Sequence, residues 1–68
     1  MEENIVSIIN FKSDNGMTAV IKSSYHSVML YVKDKDGNVV VDNKPYSGVL
    51  SAKNALRKLG CNWEMLDE

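Results

Sequence analysis

The chain has 68 residues, with 44% hydrophobic, 25% charged and 7% aromatic residues and a net charge of −1. That length holds one small domain and excludes a core combined with a deep substrate cleft. The composition is that of an ordinary globular domain, so disorder is not expected.

Asn4 to Phe11 is rich in β-branched residues and predicts a strand. Ser13-Asp14-Asn15-Gly16 follows, and Asn15-Gly16 favours a hairpin turn in which both central residues need positive φ. Met17 to Lys22 predicts the returning strand. With a two-residue turn, Phe11 would pair with Val20 and Ile9 with Lys22; a longer loop would flip the register. Ser23 to Ser27 is a polar connection with enough Ser and Tyr to extend a strand.

Val28 to Lys33 predicts a third strand and Val39 to Asp42 a fourth, with Asp36-Gly37 at the tip between them. In that register Val32 faces Val41 and Leu30 faces Asn43. One face collects Val28, Leu30, Val32, Val39 and Val41, and is expected to be the core. The other collects Met29, Tyr31, Lys33, Val40 and Asp42. Pro45 lacks a ladder donor and is expected to end the strand.

Ser47 predicts the cap of a helix of about 12 residues. Val49, Ala52, Leu56 and Leu59 recur on one stripe beside Ala55, with Gly60 as the stop. Ser51, Lys53, Asn54, Arg57 and Lys58 lie opposite. Trp63 and Leu66 are expected to fold back on the domain. The predicted fold is α+β in two layers: an antiparallel sheet of about four strands, made of two hairpins, with one C-terminal helix on one face. Residues 1–68 form one domain, with a folded body over 4–63 and acidic ends.

The charge distribution sharpens the sum. Residues 4 to 63 hold eight basic and four acidic residues, whereas Glu2, Glu3, Glu64, Asp67 and Glu68 make the ends acidic. A mildly basic body is too weak a signal for a phosphate-binding stripe. Cys61 has no partner for a disulfide, no Asn-x-Ser/Thr sequon occurs, and the acidic start lacks the basic opening of a secretory signal. A cytoplasmic location is expected, with no membrane association.

Asp34-Lys35-Asp36-Gly37-Asn38 opens like a calcium loop, but Val39 stands where a glycine is needed and Pro45 where a bidentate Glu is needed. His26 and Cys61 are too few for a zinc site, and no triad or paired acid and base stands out. No enzymatic activity, catalytic residue, metal or cofactor is expected. Two surfaces remain. Met29, Tyr31 and Val40 on the outer sheet face are the candidate protein interface, for a protein partner or a second copy of the chain. Lys53, Arg57 and Lys58 on the helix are the candidate nucleic-acid contact.

Gly37-Asn38-Val39-Val40-Val41, Tyr46-Ser47, Ser51-Ala52 and Asn54-Ala55-Leu56 before Leu59 resemble the YegP-like family of small bacterial proteins. The resemblance covers residues 28–59. It implies a sheet with a helix packed on it, often as a tandem or dimeric unit, and no established function. Pro45 and Ala55 stand where that family has glycines, and Gly48-Val49 where it has Ser-Lys. The arm-binding domains of phage-type integrases are similar in outline, but their DNA-reading sheets are strongly basic.

Overall fold

A computed structural model describes residues 5–66. The elements run β1 (Ile5–Ser13), β2 (Thr18–Ser24), β3 (Val28–Lys33), β4 (Val39–Tyr46), α1 (Val49–Arg57) and β5 (Trp63–Leu66). The fold is α+β, with one open antiparallel sheet in the order β4-β3-β2-β1-β5 and one helix. The first four strands form a meander. The helix then carries the chain from the β4 edge to the opposite edge, where β5 pairs with β1.

The sheet therefore has five strands rather than four. Trp63 and Leu66 do return to the domain, but as a strand: Ser13 pairs with Trp63 and Asn10 with Leu66. The sheet runs past residue 63 to Leu66 and takes in Glu64 of the acidic C-terminal end. The other acids of those ends, Glu2, Glu3, Asp67 and Glu68, lie outside the described residues.

The first hairpin takes the longer loop. Ser13 N–H donates to the Met17 carbonyl at 2.9 Å, closing the three residues Asp14-Asn15-Gly16. Gly16 has a φ of 91°, a conformation that a side chain disfavours. Phe11 then faces Ala19, and Ile9 faces Ile21, one residue away from the two-residue register. The slip settles which face is inward. Phe11, Ala19 and Ile21 enter the core, and Ile8 and Val20 fall on the opposite face.

The β3–β4 turn repeats this geometry. Asp34 N–H donates to the Asn38 carbonyl at 2.9 Å, and Gly37 takes a φ of 88°. The Asp34 carboxylate accepts from the Asp36 and Asn38 N–H groups, both at 2.9 Å. These residues are thus spent on the turn. The Asn38 N–H is the main reason that the Asp34 carboxyl lies below its ordinary value of 3.8. Desolvation opposes it, and the Asp36 N–H, the Asn38 amide and the Gly37 N–H assist it. A depressed carboxyl stabilises the fold above its unfolded value and loses that contribution as pH falls through the folded value. Wild type should therefore be more stable than Asp34→Asn at neutral pH. The difference should shrink as pH drops below 3.8, which urea midpoints measured down the pH scale will show.

β4 departs from an ideal strand twice. Val32 faces Val41 as expected, but Lys33 faces Val39 and Leu30 faces Lys44 rather than Asn43. Each shift inserts one extra residue in β4, a β-bulge. The first puts Val39 outside the expected core: it is 50% exposed. Pro45 does not end the strand either. It pairs with Met29 on an edge strand, where a missing donor is tolerated.

The helix is shorter than its pattern. Its N-cap is Gly48, which has no side-chain capping bond, and the Ser47 hydroxyl instead lies 3.3 Å from that of Ser51. It ends at Arg57, so Leu59 sits in the following turn and is 38% exposed instead of joining the core. Ala52 and Leu56 are buried against Phe11, Ala19, Ile21, Val28, Leu30 and Val32 of the sheet. Each fully buried branched side chain of this set contributes roughly 1.5–3 kcal/mol. Trp63 Nε1 donates to the Leu56 carbonyl at 2.9 Å, a second bond on an oxygen that also accepts the Leu59 N–H at 3.1 Å, and so ties β5 to the helix end.

Candidate functional site

The helix contacts β2, β3 and β4 on one side of the sheet. Trp63 packs on that same side. The first hairpin lies within the sheet rather than over it. Among the described residues, no element covers the other side.

Strand pairing gives this outer face a defined layout. One row crosses the sheet as Val39, Lys33, Thr18, Lys12 and Glu64. The next runs Tyr31, Val20, Asn10 and Leu66. A third runs Pro45, Met29, Lys22 and Ile8. Ile8 is 54% exposed and Leu66 46%, while Met29, Tyr31 and Val20 are half-buried by their neighbours in the sheet. The lysine Nζ of Lys33 lies 5.7 Å from the centre of the Tyr31 ring, a cation–π distance that holds the ring against the strand.

Two of the three expected interface residues, Met29 and Tyr31, stand on this face. Val40 is the extra residue of the first β4 bulge, exposed at the sheet edge with no partner across the ladder. Val39 occupies the outer-face position instead. The sequence reading missed Ile8, Val20, Lys12 and Lys22. Their signal was the alternation of each strand, which becomes readable only once the Asn15-Gly16 loop is three residues long.

The face also carries charge. Lys12, Lys22 and Lys33 stand on it from three strands, Lys22 two rows from the other two, and two carboxylates share the face: Glu64 in β5 and Asp42, which follows the inward Val41 in β4. Lys12 and Lys33 are two strand spacings apart, about 10 Å, and Glu64 sits directly across from Lys12.

The basic helix residues are divided. Lys53 and Arg57 border a groove with Phe11, Trp63 and Met65, towards β5. Lys58 borders a different groove with Lys44 and Tyr46, towards β4. Lys53 and Arg57 thus border one groove and Lys58 the other.

His26 is exposed in the β2–β3 turn. Cys61 is half-buried just before Asn62, whose side chain donates to Asp14 in the β1–β2 turn at 3.2 Å. These turns lie at opposite ends of the sheet, so His26 and Cys61 are not brought together. Among the described residues, no group of three or more His, Cys, Asp or Glu could hold a metal, and no helix is long and apolar enough to cross a membrane.

No family model, curated protein or solved structure matches this chain.

Proposed function

We propose that this chain is a non-enzymatic binding protein of the cytoplasm, and that its working surface is the outer face of the sheet. The observation that carries the reading is that this face stays uncovered among the described residues while presenting Ile8, Val20, Met29, Tyr31, Val39 and Leu66. Apolar side chains gathered on one open face mark an interaction surface.

The lysines define the partner. Stacking two copies face to face would set Lys12, Lys22 and Lys33 of one copy against those of the other, with Glu64 and Asp42 in each offsetting only part of that charge. Like charges brought together across an interface cost affinity. The fitting partner is therefore another protein with an apolar patch edged by Asp and Glu. The resemblance of residues 28–59 to YegP-like proteins, which are often dimeric, points instead to a second copy. The same surface gives nucleic acid a second reading, which now rests on Lys12, Lys22 and Lys33 beside Tyr31 rather than on Lys53, Arg57 and Lys58.

The test compares wild type with Tyr31→Glu and with Leu50→Lys on the exposed helix surface, each checked by circular dichroism. A purified acidic partner should lose about tenfold or more in affinity with Tyr31→Glu and be unaffected by Leu50→Lys. Equal binding by all three proteins would sink the assignment of the face. Light scattering across a concentration series should show a monomer; a dimer broken by Tyr31→Glu would favour the second copy. Tight, steeply salt-dependent capture of a labelled oligothymidine would favour nucleic acid.

A further inference from the structure

On its helix side, the sheet does not close completely against α1. Between the helix and β4 runs a groove of about 550 Å³, within the size range of small-molecule sites. Its floor is apolar, made by the half-buried Val41 and Ala55 over the fully buried Leu30. Its walls carry hydrogen-bond donors and two cations.

The second bulge of β4 builds one wall. Val41 faces the helix side, opposite Val32. Unbroken alternation would next place Asn43 and Pro45 on that side. The extra residue at Asn43, whose φ is 49°, inverts the alternation. Lys44 and Tyr46 turn to the helix side instead, opposite Leu30 and Val28. A non-glycine residue in the left-handed region is held there by its surroundings, and bulges of this kind re-aim side chains at sites. Lys44 Nζ lies 5.7 Å from the centre of the Tyr46 ring.

The opposite wall is a helical stripe. Ser51, Asn54 and Lys58 follow the spacing that shares one flank, with the small Ala55 keeping the floor open. No carboxylate lines the groove. An inward lysine on an edge strand also discourages pairing with other chains, which accounts for Lys44 but not for Lys58 and Asn54 facing it.

We propose that this groove binds a small organic anion. Its carboxylate or phosphate head would lie between Lys44 and Lys58 with Asn54 as a donor, and its apolar body on Val41 and Ala55. The site is on the opposite side of the sheet from the protein-binding face and does not depend on it.

Titration of the ¹⁵N-labelled chain with octanoate, octyl phosphate, octanol and inorganic phosphate tests this. One of the two amphiphilic anions should shift the amides of Lys44, Tyr46, Asn54 and Lys58 saturably, and comparing them identifies the head group. Octanol and inorganic phosphate should each bind at least tenfold more weakly, about the effect of losing one charged or apolar contact set. Lys44→Met and Lys58→Met keep the apolar stem and should each weaken the anion about threefold to tenfold. Octanol binding as well as the anions, affinity unchanged in both lysine variants, shifts that never saturate, or shifts centred on Met29 and Tyr31 would each overturn the proposal.

Discussion

Replacing Leu30 with alanine should remove a large share of the fold's stability. Leu30 is fully buried, in the middle of β3, where it faces Ile21 on one side and Lys44 on the other. It also lies directly beneath the groove between α1 and β4. Truncating such a residue costs about 2–5 kcal/mol, from lost transfer energy and from the cavity left behind. At about 0.05–0.15 kcal/mol per residue, a domain of this length holds roughly 3–10 kcal/mol in all. The substitution therefore removes about half of the margin in the middle of these ranges and all of it for a marginally stable domain. Urea unfolding followed by circular dichroism should show a midpoint shifted to low denaturant or no folded baseline. Met29→Ala, one position along and on the outer face, should shift the midpoint by less than about 1 kcal/mol. Equal costs at the two positions would mean that the inward and outward faces have been exchanged.

Trp63→Ala should be the second most damaging change, at about 2–4 kcal/mol for a half-buried aromatic side chain. Trp63 serves two elements. Its ring packs against the core, and its Nε1 holds the Leu56 carbonyl at the end of α1. Trp63→Phe keeps most of the packing and loses the hydrogen bond, so it should cost about 1 kcal/mol. Hydrogen exchange separates the contributions. In Trp63→Ala the amides at the β1–β5 ladder, over Asn10–Ser13, should exchange much faster, while the β2–β3 ladder stays protected relative to global unfolding. Uniform acceleration across the sheet would show that β5 has no separate stability.

The comparison of these two residues also shows what could be read from the sequence. Leu30, with Val28 and Val32, declared itself by alternation in a strand bounded by clear turn residues. The helix declared itself through Ala52 and Leu56. Trp63-Glu64-Met65-Leu66 gave no such sign: four residues are too few for periodicity, and their partner in β1 is remote in sequence. The outer face was legible only through Met29 and Tyr31. Lys12, Lys22, Ile8 and Val20 depended on whether one loop held two residues or three. The groove was invisible, because it exists through an extra residue at Asn43 that reverses the sidedness of everything after it.

The placement of β5 has a consequence for the order of events in folding. Each ladder of the β1–β4 meander joins strands that are consecutive in sequence, so those hairpins can form while the rest of the chain is still unfolded. The β1–β5 ladder joins residues about 50 positions apart, which carries a larger loop-closure cost that docking of α1 would reduce. During synthesis the meander emerges first, with its helix-side apolar face bare, and the expected last step is closure of the β1–β5 seam. Substitutions at Trp63 should accordingly speed unfolding and leave the folding rate nearly unchanged, whereas those in the β2–β3 hairpin should slow folding.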